Sequence, residues 1–214
     1  MQLVSLNVSK PQDMDYKGKT VATGIFKQRV GGPVVLSFVN LEGDGQGDLK
    51  YHGGPDKAVC IYCAEHYPFW EERLARELGY GAFGENFTVT GLLETDVHIG
   101  DVFEIGTALV QVTQPRQPCY KLAHKHGVPE LASDVERTGY TGYYFRVLRE
   151  GTVEAGQSLL ARDRDPAGIS VAEANQLNYR ARTDTEGMRR LLAVDALSGS
   201  WRSTFEKRLV ELEA

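Results

Sequence analysis

Cysteine is scarce in this chain, with three among 214 residues. So small and odd a number argues against a disulfide framework and fits a reducing compartment. No apolar run is long enough to span a bilayer. The opening residues Met1-Gln2-Leu3-Val4-Ser5-Leu6 lack the basic start and long apolar stretch of a secretory leader. These features set the expectation of a cytoplasmic protein with no membrane partner. Positive charge is not in excess either: the formal net charge is -5, which argues against a surface-wide grip on a nucleic-acid polymer. There is no His-Glu-x-x-His, no Gly-x-Ser-x-Gly, no phosphate-loop lysine, and no iron-sulfur or dinucleotide fingerprint. Any electrons the protein handles must then come from a partner.

One absence is local. Between Ile105 and Pro129 there is no Asp or Glu, while Arg116, Lys121, Lys125, His124 and His126 fall in that window. At its centre lies Gln114-Pro115-Arg116-Gln117-Pro118-Cys119-Tyr120-Lys121-Leu122, directly after the alternating run Ala108 to Thr113. A half-buried strand thus enters a turn stiffened by two prolines, which restrict their own φ and push the preceding residues toward extended geometry. An electropositive setting favours the thiolate, the form that attacks electrophiles and binds soft metals. The alternative is a packed cysteine in a basic surface loop. Cys60 and Cys63 form a C-x-x-C, but the run Ala58 to Cys63 reads as a strand, on which residues three apart point to opposite faces. The second ligand pair of a zinc site is missing too, so both are read as structural.

All glycines but Gly168, Gly187 and Gly199 lie within residues 1–164, the segment that reads as short strands separated by turns. The expected strands are Leu3 to Val8, Thr20 to Phe26, Val34 to Val39, Ala58 to Tyr62, Phe87 to Thr90, Val102 to Ile105, Ala108 to Thr113, Tyr143 to Leu148 and Ser158 to Arg162. Many short strands at this spacing suggest a barrel or sandwich. Helices are expected at Pro68 to Leu78 and Pro129 to Arg137. From residue 165 onward the pattern is helical. Ser170-Val171-Ala172-Glu173 and Thr183-Asp184-Thr185-Glu186 have capping-box spacing, and a third helix from Ser200 carries Trp201, Phe205, Leu209 and Leu212 on one stripe. Domains of 1–164 and 165–214 follow. The second has neither Cys nor His, so it is expected to do no chemistry and instead to cover the barrel or dock a partner.

Three loops are candidates for ligand contact. In Tyr51-His52-Gly53-Gly54-Pro55-Asp56-Lys57, side-chain-free residues would let a ligand approach backbone amides, with His52 and Lys57 as donors to anions. The same string also reads as plain turn chemistry. Gly84-Glu85-Asn86-Phe87 sets a carboxylate beside an amide at a strand entrance. Gly43-Asp44-Gly45-Gln46-Gly47-Asp48 has aspartates that would repel phosphate and no basic helix after it, and reads as a loop that helps shape a pocket. A thiol dyad of Cys119 with His52, His124 or His126 stays open.

Taken in order, these pieces resemble the MOSC domain family, and within it the YiiM type linked to resistance against N-hydroxylated purine bases. The matching strings are Leu41-Glu42-Gly43-Asp44, His52-Gly53-Gly54-Pro55-Asp56-Lys57-Ala58, Glu65-His66-Tyr67, Gly84-Glu85-Asn86, Gly100-Asp101-Val102-Phe103, Gln114-Pro115-Arg116, Pro118-Cys119-Tyr120-Lys121-Leu122 and Ser198-Gly199-Ser200-Trp201. The resemblance implies a mainly β fold, a mixed barrel like the pyruvate-kinase barrel domain followed by a small three-helix domain. It also implies a molybdenum-pterin cofactor with Cys119 as metal ligand and catalytic centre. His52, Gly53, Gly54, Asp56, Lys57, Glu85, Asn86, Arg116 and Lys121 are the expected cofactor-binding residues, and Lys10, Lys27 and Arg29 stand as further basic candidates. Relatives reduce small N-hydroxylated substrates with electrons from a separate reductase, here expected to be a flavoprotein. A non-catalytic cofactor carrier and a metal-free thiol enzyme using Cys119 are the competing readings.

Overall fold

The computed structural model describes residues 1–48 and 53–214. In chain order the elements are β1 (Gln2–Val8), β2 (Gln12–Tyr16), β3 (Lys19–Thr23), β4 (Gln28–Val30), β5 (Val34–Leu36), β6 (Val59–Cys63), α1 (Tyr67–Leu74), β7 (Phe87–Thr90), β8 (Val102–Ile105), β9 (Ala108–Pro115), α2 (Tyr120–His126), α3 (Leu131–Thr138), β10 (Tyr143–Arg149), β11 (Gly151–Val153), β12 (Leu160–Asp163), α4 (Val171–Tyr179), α5 (Thr185–Leu192) and α6 (Gly199–Glu213).

The principal sheet has eight strands in the order β12-β8-β9-β10-β6-β7-β1-β4. It is mixed: β6 pairs with β7 in parallel, and the other neighbours run antiparallel. The parallel step needs a crossover, which the segment carrying α1 provides. The sheet curls so that Gln2 of β1 bridges Ser158, just ahead of β12. Alternation explains the inward face of β9, where Ala108, Val110 and Val112 are buried and Leu109 and Gln111 are half-buried. β2, β4 and β11 are not legible from hydropathy, because β2 reads Gln-Asp-Met-Asp-Tyr and the other two are three residues long. The β2–β3 ribbon turns at Lys17 and Gly18, both at positive φ, the geometry of a two-residue hairpin that follows the strand twist.

Two apolar clusters result. The smaller packs Tyr62, Tyr67, Trp70, Phe83, Leu122, Leu131 and Val135 beneath α1, α2 and α3. The larger runs without interruption from barrel residues such as Val112 and Phe145 to Val171, Leu177, Met188, Leu191, Trp201 and Phe205 of the C-terminal helices. Those helices therefore cover the barrel, and the buried stripe of α6 extends from Trp201 and Phe205 to the partly buried Leu209 before Leu212 turns to solvent. Ser170 caps α4 as its spacing implies, accepting from the Glu173 amide at 3.0 Å. The α5 cap is displaced by one residue, since Asp184 and not Thr183 accepts, from the Gly187 amide at 2.9 Å. α6 is capped by Ser198 and starts one residue earlier than its apolar stripe suggests.

Candidate functional site

The end of β9 builds the site. The Arg116 amide continues the ladder by donating to the Gly142 carbonyl at 2.9 Å, and Gln117-Pro118 then leads out to Cys119, half-buried and immediately ahead of α2. α2 replaces the loop that sequence pattern suggests after Cys119. Facing the thiol across a cleft are Thr23 and Gly24, the loop Asp44 to Asp48, Lys57, Cys60 of β6, Gly84, Asn86 and Tyr144 of β10, with Lys27, Arg116 and Lys121 completing the wall. The loop closes tightly on β3. A β-carbon on Gly47 would lie 2.3 Å from the Ala22 carbonyl oxygen, so only glycine fits there.

Arg116 is the most constrained cation of the wall. Its side chain is buried, Nη2 donates to the Phe83 carbonyl at 2.5 Å, and Nη1 has no hydrogen-bond partner among the described residues. Lys27 forms a close ion pair with Asp44, both nearly inaccessible. Asp44 also accepts from the Ser9 amide at 2.8 Å and from Nδ2 of Asn86 at 2.9 Å. The acid-free stretch around Cys119 is thus met in space by an acidic loop, whose Asp44 charge Lys27 offsets. Lys121 donates to the Ala22 carbonyl at 3.1 Å. Burial holds the Lys57 ammonium below its ordinary pKa, against the opposing pull of Asp56.

Not every expected residue faces the cleft. The Glu85 carboxylate is turned inward, accepting from the Tyr67 hydroxyl at 2.5 Å, the Gly81 amide at 2.8 Å, the Phe83 amide at 3.1 Å and the Thr88 hydroxyl at 2.8 Å. Asp56 pairs with Arg146 at 2.7 Å and accepts from the Gly199 amide at 3.1 Å, tying the barrel to the start of α6. Gly53 and Gly54 lead into the tight turn Pro55–Lys57, where Gly54 adopts φ 95°. His52 lies outside the described residues. Of the upstream cations, Lys27 lines the cleft, whereas Lys10 and Arg29 are exposed elsewhere.

Both nitrogens of His126 are occupied, Nε2 with the Ala82 carbonyl at 2.9 Å and Nδ1 with Arg76 at 2.6 Å. The exposed His124 ring packs edge-on to Tyr16. A dyad of Cys119 with either ring is therefore not formed.

Strand alternation separates the C-x-x-C. Cys60 faces the cleft and Cys63 the apolar cluster that the barrel shares with the C-terminal helices. Burial, only partly offset by Arg116, pushes the Cys60 thiol up to about 11, so it is no thiolate near neutrality. The sequence reading of both cysteines as structural left out the place of Cys60 in the cleft wall, although the opposite-face argument already set the two on different sides of the strand. Tyr144 was missed for want of any motif.

The donor set suits the charged part of a molybdenum-pterin group. A half-buried thiol is the chemistry of a soft-metal ligand, and a buried guanidinium N–H without a partner is a donor awaiting an acceptor or an anion. The cleft is open to solvent on one side and leaves about 90 Å³ between the described walls, less than the roughly 300–1,000 Å³ of sites that bury a whole small ligand. Its charged wall therefore suits the charged end of a cofactor.

Comparison with known proteins bears on this cleft. Residues 48–160 match the family model described as MOSC domain, and residues 169–210 match YiiM-like, 3-alpha helix domain. The chain is 38% identical to Protein YiiM of Escherichia coli over 202 residues, covering 90% of each. It is similar to the crystal structure of YiiM from Geobacillus stearothermophilus at a TM-score of 0.85 and 44% identity, covering 97% of this chain and 98% of that one. A Gibberella moniliformis protein named Reductase is 34% identical over 169 residues, which are 77% of this chain but 30% of that protein.

Proposed function

This chain belongs to the MOSC domain family, in its YiiM-like branch, and on that premise we propose that it is a molybdenum-cofactor reductase of small N-hydroxylated bases or amines, N-hydroxylated purines among them. The observation that carries the reading is one cleft holding both the half-buried Cys119 and the buried Nη1 of Arg116, which has no partner among the described residues. When bound, the cofactor would supply the redox chemistry: two electrons and two protons convert an N–OH group to N–H and water.

The residues of the chain have separate tasks in this reading. Cys119 provides the thiolate ligand. Arg116 and Lys121, with Lys57, complement the anionic phosphate of the pterin, because fixed donors with little freedom to reorganise hold an anion at low entropic cost. Lys27 is held at the wall by Asp44. The sequence has no flavin or iron-sulfur motif, so electrons come from a separate donor, a flavoprotein reductase. The protein named Reductase supports the enzymatic reading over a passive carrier. The thiol-enzyme alternative is weakened by the absence of a histidine partner for Cys119 among the described residues.

The test is turnover of an N-hydroxylated purine with a chemical reductant, using protein produced in a host that makes the cofactor. Reduction to the amino purine is expected from the wild type and at least a hundredfold less from Cys119→Ser, since a hydroxyl is a harder and far less acidic ligand. Equal rates for the two proteins would refute the assignment.

A further inference from the structure

Away from the cleft, at the seam between barrel and C-terminal helices, three metal-ligating side chains converge. Cys63 ends β6, His66 lies one tight turn later, and Glu94 follows β7. All three are buried, and one ligand atom from each lies within 4.8 Å of the other two. His66 Nε2 is 2.7 Å from Oε2 of Glu94, which is 3.9 Å from the Cys63 sulfur. Exposed carboxylates gather on protein surfaces without binding anything, whereas this thiol, imidazole and carboxylate are all buried. They come from three positions that the β6–β7 parallel crossover brings together.

The supports of these ligands are in place. The Gly142 amide donates to Oε1 of Glu94 at 2.8 Å, leaving Oε2 for the cluster. The His66 ring stacks on Tyr140 with centroids 3.9 Å apart and meets Tyr62 edge-on at 5.7 Å. Fixing ligand orientation in this way is what outer partners do at metal sites. Beside the cluster lies a cavity of about 410 Å³ whose wall includes His66, Glu94, Tyr140, Asn175 and Tyr179. One acceptor in that wall is unmatched: Asn175 is 5% exposed, its Nδ2 donates to the Thr141 hydroxyl at 2.8 Å, and its Oδ1 has no partner among the described residues.

We propose that Cys63, His66 and Glu94 form a second metal site, distinct from the Cys119 cleft, that takes a divalent transition metal of the zinc class with its fourth position open to the cavity. One sulfur, one nitrogen and one carboxylate oxygen are ligands zinc accepts, and three protein ligands plus an open position is the arrangement of reactive zinc rather than of a closed structural site. Zinc distances of roughly 2.0–2.3 Å to such ligands require them to stand about 3.2–3.7 Å apart, against 2.7 Å and 3.9 Å for two of the pairs here and at most 4.8 Å for Cys63 with His66. Closure needs the His66–Glu94 contact to open and the Cys63 thiol to turn from the Leu92 carbonyl, to which it donates at 3.1 Å, and to lose its proton, which a bound cation drives. Asn175 Oδ1 would accept from a water on the open position. The site does not depend on the cofactor reading of the first cleft.

Cobalt(II) tests it, because a cobalt-bound thiolate gives a charge-transfer absorption that carboxylate and imidazole do not. The full chain carrying Cys119→Ser is stripped with chelator and titrated, so that the first cleft contributes no exposed thiol. One equivalent of cobalt with a thiolate band, displaced by zinc, is expected. The band should disappear when Cys63→Ser is added, and affinity should fall at least tenfold with His66→Gln, which preserves a donor to Glu94 and thus the fold. Absence of the band in the Cys119→Ser chain, or a band that survives Cys63→Ser, overturns the proposal. Should Cys63→Ser not fold, unchanged affinity in His66→Gln overturns it by itself and the tenfold loss upholds it.

Discussion

The Phe83 carbonyl accepts a 2.5 Å hydrogen bond from Nη2 of Arg116, and this fixes a buried guanidinium in the wall of the Cys119 cleft with Nη1 unpaired among the described residues. Arginine stays charged even when buried, so folding leaves a cation there with part of its donor capacity unused. The cost is offset once an anion arrives. Arg116→Glu should therefore lower cofactor retention at least tenfold, whereas Arg189→Glu, which removes exposed contacts with Glu213 and Thr185, should not change it. Metal and pterin content after gel filtration measures both. Equal retention by the two variants would move the phosphate site to Lys27.

Lys27 and Asp44 are nearly inaccessible partners, and removing one leaves the other buried and uncompensated. Lys27→Met should destabilise by about 3–5 kcal/mol. The double variant Lys27→Met, Asp44→Asn should recover a substantial part of that loss, since no lone charge remains. Urea unfolding of the single and double variants gives the comparison. Additive losses would show that the two side chains do not act as a pair.

Lys125 donates to the carbonyls of Ile25 at 3.0 Å and Gly81 at 2.9 Å, and burial brings its pKa from 10.5 down to about 8. Between these values the unfolded chain holds a proton that the folded chain has released, so this lysine makes stability rise with pH across that window. Below about pH 8 the folded state carries the full burden of a buried ammonium. The stability of wild type relative to Lys125→Met should accordingly increase from pH 8 to 10.5. Parallel curves would mean that the ammonium is not held in the interior.

Trp201 and Phe205 lie in the same apolar cluster as the barrel interior. Phe205→Ala should cost about 3–5 kcal/mol, while Leu212→Ala at the exposed end of α6 should stay within about 0.5 kcal/mol. Truncation before Gly168 should yield insoluble protein, because it uncovers the barrel. A soluble, folded truncation would restore partner docking as the task of these helices.

Much of this architecture is legible in the sequence where one periodicity dominates. The alternation of Ala108 to Thr113 identifies β9, the stripe of Trp201 and Phe205 identifies α6, and Ser170 with Glu173 marks the start of α4. What is not legible depends on distant pairing. β4 and β11 are too short to carry a pattern, and α2 carries Lys121 and Lys125, whose apolar stems pack while their heads find carbonyls far along the chain. The cleft around Cys119 follows from Pro115 and Pro118 and from the family strings, yet Asp44 arrives from a loop more than seventy residues upstream. Glu85 looks like a ligand in sequence because it sits in Gly84-Glu85-Asn86. Its four internal donors make it a structural carboxylate instead. Cys63 and His66 have ligand spacing, but Glu94 joins them only through the parallel pairing of β6 with β7.

Molybdenum per polypeptide, measured by elemental analysis of protein from a cofactor-producing host, bears most directly on Cys119 as the metal ligand. Wild type and Cys60→Ser should approach one atom per chain, because the Cys60 thiol stays protonated well past neutrality, and Cys119→Ser should carry almost none while keeping its fold. Full molybdenum in Cys119→Ser, or its loss from Cys60→Ser alone, would contradict the assignment.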